Sequence, residues 1–245
     1  MVHVIIFAGG TGTRMSTSDI PKQFIKVDGK PIIIRTLKNF ETHNQVDNVV
    51  IACLEDWIPY MNNLLRDYHM TKVTSVVPGG KTGYKSIHNG LLKLKDIAKP
   101  DDIILICDGV RPIVSPQLIT SCIIETQKYG TAVPVVPSID SILFSQDGIT
   151  CKKSLPRNSM FITQAPQGYT FKKIYWAHQE AEKRSLEDPI SSSELLISLD
   201  KEIHLFPGER ENIKVTTPED LETIRSYYYY DKYKQFAREK MQYGF

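Results

Sequence analysis

No stretch of the chain approaches the ~18 consecutive apolar residues that a membrane-spanning helix requires. The opening Met1-Val2-His3-Val4 runs into a strand-like pattern without the basic and apolar regions of an export signal. The expectation is a cytoplasmic protein with no membrane partner. Charge of one sign is also scarce: 30 basic against 28 acidic residues leave a net +2, far from the basic field of a dedicated nucleic-acid binder. Nucleic acid is therefore not an expected partner, and an anionic ligand has to be met by a few locally placed cations. Cysteine is limited to Cys53, Cys107, Cys122 and Cys151, with neither C-x-x-C spacing nor a His pairing suggestive of zinc. Three lie in apolar segments, where cysteine packs as a small hydrophobe, and all four read as reduced. Two nucleotide signatures are missing as well. G-x-G-x-x-G cannot be laid on the first glycines, and "PGGKTG" at 78–83 is no Walker loop, because Ser75 stands where G-x-x-x-x-G-K-T needs glycine.

What is present is an alternation of strand and helix. Val2–Phe7, Val46–Ala52, Val73–Val77, Ile103–Cys107 and Thr131–Val136 are β-rich runs, continuous rather than alternating, as for strands buried on both faces. Between them, Pro31 suits a first helical position ahead of Ile33, Leu37 and Phe40, and Ser86 starts a helix carrying Ile87, Leu91 and Leu94. Ser115-Pro116 reads as N-cap and first-turn proline with Gly130 as the stop, and Thr217-Pro218-Glu219-Asp220 opens a final helix. The pattern changes after Pro137. Short β-like pieces and a turn at Gln146-Asp147-Gly148 suggest a hairpin arm over about 138–167, a natural dimerisation element. The expected fold is α/β: a Rossmann-like, mostly parallel twisted sheet with helices on both faces and a protruding β-arm. Residues 1–226 would form one domain and 227–245, with the run Tyr227–Tyr230, a tyrosine-rich helical tail.

Five segments carry candidate chemistry. Gly9-Gly10-Thr11-Gly12-Thr13-Arg14 leaves the first strand, and glycine there lets backbone N–H groups approach phosphate oxygens; a tight strand-to-helix turn is the plainer reading. Lys22, in Pro21-Lys22-Gln23-Phe24, follows Arg14 in the same crossover, so both cations could reach one triphosphate. Transfer of a nucleotidyl group needs this, because charge builds on nonbridging oxygens in the transition state. Gly79-Gly80 after a strand suits a loop that reads a base through its backbone, or an ordinary βα turn. Asp108, ending an apolar strand, could hold Mg²⁺ on phosphates or accept from a substrate hydroxyl, with Arg111 three residues on as a two-donor phosphate grip; a structural ion pair is the alternative. Lys214, flanked by Ile213 and Val215, reads as a lysine on a short strand. It either snorkels at an edge or faces the rim of the sheet as a third cation.

A-G-G-x-G-x-R-M, P-K-Q-F, G-G with its following Ser, D-x-x-R-P, R-N before P-Q, and N-I-K-V-T-T-P-x-D-L occur in this order from about Val2 to Arg225. In this the chain closely resembles the small CTP-dependent cytidylyltransferases that activate polyol phosphates, among them the methylerythritol 4-phosphate and ribitol 5-phosphate enzymes. The resemblance implies in-line attack of a substrate phosphate oxygen on the α-phosphorus of CTP, with Mg²⁺ as cofactor and pyrophosphate released. Arg14, Lys22 and Lys214 match the family's catalytic cations. Ala8, Gly9, Gly10, Thr11 and Gly12 match its nucleotide loop, and Gly80, Lys81 and Ser86 fall where cytosine is read. Asp108 and Arg111 match substrate and metal positions. Arg157, with Ser141 as hydroxyl partner, would reach the acceptor in the neighbouring subunit of a homodimer.

The chain also departs from that pattern. Lys81 or Thr82 and Gly83 replace an acidic residue and an arginine, Ala165-Pro166-Gln167 replaces T-P-Q, and Ser191-Ser192-Ser193-Glu194 stands where relatives have Thr-Asp. Ser191 is expected at the acceptor. P-K-Q-F and N-I-K-V-T-T-P lean toward ribitol 5-phosphate or a related alditol phosphate, with methylerythritol 4-phosphate as the alternative. A nucleotide-sugar pyrophosphorylase lacks room in so short a chain. A non-catalytic nucleotide binder would be expected to have lost one of the three cations, and all are present.

Overall fold

The computed structural model describes residues 1–10, 20–186 and 189–242; Thr11, Gly12 and Arg14 lie outside them. Strand β1 (Val2–Ala8) is followed by a short pair, β2 (Lys26–Val27) and β3 (Lys30–Pro31), then α1 (Ile32–Glu41), β4 (Asn48–Cys53), α2 (Ile58–Asp67), β5 (Val73–Pro78), α3 (Gly83–Leu94), β6 (Ile103–Asp108), α4 (Pro116–Tyr129) and β7 (Thr131–Pro137). After β7 come β8 (Ile142–Phe144), β9 (Lys153–Leu155), β10 (Phe161–Thr163), β11 (Gln167–Thr170), α5 (Phe171–Arg184), α6 (Ser192–Ser198), β12 (Leu205–Pro207) and α7 (Pro218–Gln242). The main sheet runs β10-β7-β11-β6-β1-β4-β5, with β12 also on β7. The four strands β5, β4, β1 and β6 are parallel, while β11 lies antiparallel between β6 and β7. The expected mostly parallel sheet is therefore present.

Alternation along β1 sorts the helices. Val4 and Ile6 face a core shared with Ile33, Leu37 and Phe40 of α1, Met61 of α2 and Ile119 of α4. Ile5 faces the other side, with Ile87, Leu91 and Leu94 of α3, Ile174 of α5 and Leu195 of α6. Each such side chain contributes about 1.5–3 kcal/mol by leaving water, so both faces of the central strands are anchored and their C-terminal ends cannot drift.

Caps set the helix ends. Ser115 Oγ accepts the Leu118 N–H at 3.0 Å, Pro116 follows it, and Gly130 closes α4 with φ 75°. Asp220 accepts the N–H groups of Thr216 and Thr217 at 2.7 and 2.8 Å, which fixes the start of α7. Two expected starts are corrected. Pro31 is the residue before α1 rather than its first, since its ψ of 143° is extended. Helix α3 starts at Gly83 under a Thr82 cap, so Ser86, the expected start, lies inside it, about one turn past the observed one. The Asp28-Gly29 turn joining β2 and β3 takes φ 49° and 76°, the left-handed pair a two-residue hairpin needs. It was legible as a D-G dipeptide but is absent from the strand pattern read above.

The arm is a two-stranded antiparallel hairpin, β8 with β9, that forms its own sheet. The Asp147 carboxylate accepts the N–H groups of Ile149 and Thr150 and Gly148 has φ 70°, which makes the turn where Gln146-Asp147-Gly148 suggested one. Helix α7 packs Leu221 and Ile224 on Val27, Ile32 and Val215 and continues unbroken to Gln242, so no backbone interruption marks residue 227. Cys53, Cys107 and Cys122 are buried free thiols and Cys151 is an exposed one.

Where α5 meets the first turns of α3, His178 is 1 % exposed and stacks on Tyr84 with ring centroids 4.6 Å apart. Neither of its ring nitrogens has a hydrogen-bond partner among the described residues. Burial, with lesser contributions from His88 and Lys85, pushes its pKa from 6.5 down to about 3. The unfolded chain then binds more protons than the folded one between these values, so stability rises with pH across that window. Acidification below about 6.5 is expected to cost about 1.4 kcal/mol per pH unit through this residue. Urea denaturation at successive pH values should show a steeper acid loss for the native chain than for His178→Phe; parallel profiles would contradict the assignment.

Candidate active site

The ends of four strands lie flush. Phe7 pairs with Asp108, Ala8 with Cys53, and Cys53 with Pro78. From β1 the chain moves outward to β4 and β5, then crosses back through α3 to β6 on the opposite side of β1. That reversal opens a crevice at the carboxyl ends of β1 and β6, where ligands bind in open α/β sheets.

Close backbone packing shapes one side of the crevice. The Ala8 carbonyl accepts from Gln23 Nε2 at 2.8 Å, and Gln23 is 1 % exposed, so the glutamine of P-K-Q ties the start of the first loop to the turn that carries Lys22. A Cβ on Gly9 would stand 2.8 Å from Ser86 Oγ, and one on Gly79 3.3 Å from the Gly9 Cα. The first loop and the Gly79-Gly80 loop thus touch backbone to backbone. Ser86 Oγ accepts the Gly80 N–H at 3.0 Å and donates to the Thr82 carbonyl at 2.9 Å. Its hydroxyl therefore shapes the loop from within. Lys81 is exposed at the tip of the same loop.

Charge gathers on the other side. Asp108 Oδ2 accepts from Arg111 Nε at 2.8 Å, and Oδ1 lies 2.6 Å from Lys214 Nζ. Asp108 is 5 % exposed and Arg111 8 %, whereas the Lys214 side chain is 45 % exposed. Burial works to raise the Asp108 pKa, but the Arg111 guanidinium and the Lys214 ammonium outweigh it and hold the carboxyl below its ordinary range. The site is thus a carboxylate clamped between a buried and a reachable cation. Lys214 faces the rim of the sheet, as one of the two sequence readings had it, but the strand expected to carry it does not form: 208–217 has no ladder partner. Lys22 reaches the same segment, donating to the Val215 carbonyl at 3.4 Å.

These groups border a cavity of about 230 Å³ whose wall includes Asp108, Arg111, Lys214, Gln167, Ile190 and Ser191. Ser191 caps α6, accepting the Glu194 N–H at 3.2 Å. A wider hollow of about 780 Å³ beside Pro100, Phe171 and Trp176 lies at the opposite end of β6 and has no carboxylate in its wall. Ser141 and Arg157 are exposed on the arm and do not line the cavity of their own chain. The hairpin register, Ile142 opposite Leu155, sets both at the open end of the ladder. Reading the sequence alone passed over Gln23, Gln164 and Asn212, buried amides whose only signal was a polar residue inside or beside a motif.

Residues 2–228 match the model of the 2-C-methyl-D-erythritol 4-phosphate cytidylyltransferase family. The chain belongs to this family. It is 38% identical over 224 residues to a ribitol-5-phosphate cytidylyltransferase of Streptococcus agalactiae, covering 91% of this chain and 94% of that one. It is 39% identical over 219 residues to a 2-C-methyl-D-erythritol 4-phosphate cytidylyltransferase of Clostridium novyi, with 89% and 92% covered. The crystal structure of the 2-C-methyl-D-erythritol 4-phosphate cytidylyltransferase of Francisella tularensis superposes with a TM-score of 0.77 at 26% identity, covering 91% of this chain and 97% of that one. The chain is accordingly a nucleotidyltransferase whose reaction is CTP-dependent cytidylyl transfer to a polyol phosphate.

The contact between the two glycine loops gives a contrast within one dipeptide. Among the described residues Gly10 has nothing within 4 Å of an added Cβ. In thermal melts without nucleotide, Gly9→Ala should destabilise by about 1–3 kcal/mol through overpacking against Ser86, and Gly10→Ala by less than about 0.5 kcal/mol. Equal losses would mean that the two loops do not touch in the way described.

Proposed function

We propose that the acceptor is ribitol 5-phosphate or a related alditol phosphate, and that Asp108, Lys214 and Lys22 mark where its phosphate meets CTP. The observation that carries the meeting point is the clamp at the switch point: one reachable ammonium held 2.6 Å from a buried carboxylate, beside the closely packed glycine pairs Gly9-Gly10 and Gly79-Gly80. The ribitol assignment is supported by the Streptococcus agalactiae relative and by the P-K-Q-F and N-I-K-V-T-T-P motifs. The comparable identity to the Clostridium novyi enzyme keeps methylerythritol 4-phosphate as the second reading.

An oxygen of the acceptor phosphate attacks the α-phosphorus of CTP, the bond from that phosphorus to the bridging oxygen breaks, and pyrophosphate leaves. Lys22 and Lys214, with Arg14 from the first loop, neutralise charge on the transferring group as it builds. The Ala8–Gly10 backbone accommodates the phosphates, and Gly80 and Lys81 present main-chain groups to the base. Among the described residues no three His, Cys, Asp or Glu side chains converge as a metal cage. A single carboxylate, Asp108, would fit an ion that takes its other ligands from phosphates and water, as Mg²⁺ does, once a phosphate draws Lys214 from its Oδ1. Bound there, Mg²⁺ would supply charge neutralisation on the triphosphate.

The arm is assigned to a homodimer. It and the adjoining β10 leave Leu143 at 64 %, Phe144 at 52 %, Ile149 at 88 % and Ile162 at 55 % exposure, apolar surface that a partner of the same sequence would cover. Across such an interface Arg157 and Ser141 would serve the neighbouring site.

Pyrophosphate release from CTP and Mg²⁺ with ribitol 5-phosphate, methylerythritol 4-phosphate, other alditol phosphates and glycerol phosphates tests the acceptor. A clear preference for ribitol 5-phosphate or a close alditol phosphate is expected, and preference for methylerythritol 4-phosphate would replace the first reading by the second. Complementation tests the arm. Arg157→Ala and Lys214→Ala homodimers should each be nearly inactive, while their mixture after subunit exchange should recover about a quarter of native activity, because each mixed dimer keeps one intact site. No recovery would place Arg157 outside the neighbour's site.

A further inference from the structure

Lys214 stands in a stretch, 208–217, that belongs to no helix or ladder strand. Its ammonium is placed only as well as that stretch is held, and buried side-chain amides do much of the holding. Gln164 Nε2 donates to the Glu209 carbonyl at 2.7 Å and to the Asn212 carbonyl at 3.4 Å, and Gln164 Oε1 accepts the Glu209 N–H at 3.0 Å. One side chain thus gives Glu209 the donor and the acceptor that a neighbouring strand would have given. Asn212 returns the connection, donating from Nδ2 to the Ala165 carbonyl at 2.6 Å, and Arg111 Nη1 donates to the Asn212 carbonyl at 2.9 Å. Gln164 is 7 % exposed and Asn212 1 %, so water does not compete for these bonds.

A second observation points the same way. A Cβ on residue 208 would fall 2.3 Å from Gln164 Oε1 and 3.3 Å from the Val135 N. The amide reaches Glu209 because residue 208 is glycine. The backbone of Gln164 is itself fixed, its N–H donating to the Pro134 carbonyl of β7 at 2.8 Å, between β10 at the root of the arm and β11. The clamp therefore ties the segment bearing Lys214 to the main sheet.

We infer that Gln164 is a positioning residue for cytidylyl transfer: its amide, given room by Gly208, pins 209–212 and so holds Lys214 at Asp108. The inference rests on the role proposed above for Lys214. Gln164 also borders the cavity, but its amide is taken up by backbone groups of Glu209 and Asn212, so it acts through the lysine rather than on the reacting atoms. Neither obvious replacement reproduces the pairing. Glutamate would turn two donated bonds into contacts between oxygens, and methionine would keep the volume and lose every bond.

The test combines kinetics with amide exchange on the full chain, using Gln164→Met, Gly208→Ala, the double variant and Lys214→Ala. Each single clamp variant should lower kcat about tenfold or more with KM for CTP within about threefold, a displaced group costing more in turnover than in binding. The double variant should be no worse than the poorer single, since both remove one clamp. Combined with Lys214→Ala, Gln164→Met should have no further effect, and exchange of the Glu209 N–H should accelerate in Gln164→Met. Native kcat in Gln164→Met, multiplied losses in the double variant, or a raised acceptor KM with unchanged kcat would overturn the inference. Native kcat in Lys214→Ala, with Glu209 exchange still accelerated by Gln164→Met, would instead sink the role given to Lys214 and leave the clamp standing as architecture alone.

Discussion

A carboxylate at the end of a buried parallel strand has to be paired, and much of the site follows from how Asp108 is paired. Taken out of water alone, it would protonate or destabilise the fold by several kcal/mol. Arg111 lies three residues on and supplies the buried partner. Lys214 comes from more than a hundred residues away and supplies the reachable one. The first pairing makes the carboxylate tolerable. The second places a cation at the mouth of the crevice, where a phosphate can compete for it. The ion pair that D-x-x-R allowed and the rim-facing cation that Lys214 allowed are then parts of one arrangement.

The strands β1, β4, β5, β6 and β7 and the helices α1, α3, α4 and α7 were legible because their signals are local. Continuous Val/Ile runs bury on both faces and allow few alternatives, and Ser115-Pro116 with Gly130 encodes both ends of one helix. The errors share a cause. Pro31 fits either side of a helix start, and Ser86 carries the side chain of a cap while Thr82, four residues earlier, has the extended backbone that a cap requires. Lys214 between Ile213 and Val215 has the composition of a strand, but a strand exists only where a neighbour offers its ladder, and no local pattern reports that neighbour.

The site was legible in its charges and not in its amides. Arg111, Lys22 and Lys214 stand out because cations near glycine loops are few in a chain of net +2. Gln23, Gln164 and Asn212 look like ordinary polar residues in loops. Their work shows only once folding has buried them against carbonyl groups that lack a strand partner. An amide is suited to this because it donates and accepts at once and carries no charge that burial would penalise. The carbonyl that ends β1 and the segment before α7 are held this way.

The segment Ser191–Glu194 shows how this wall of the cavity can vary without loss of the fold. Ser191 accepts the Glu194 N–H and Glu194 Oε2 accepts the Ile190 N–H at 2.6 Å, a reciprocal cap that satisfies the first turn of α6. A Thr-Asp pair would satisfy helix starts by the same chemistry with a shorter reach. The change therefore keeps α6 in place, with Leu195 and Leu196 buried under the sheet, and alters only what the cavity wall presents. The Glu194 carboxylate turns back to its own backbone and the Ser191 hydroxyl is taken up by the cap and by Ser193 at 2.9 Å, so the charge of the cavity wall is left to Asp108, Arg111 and Lys214.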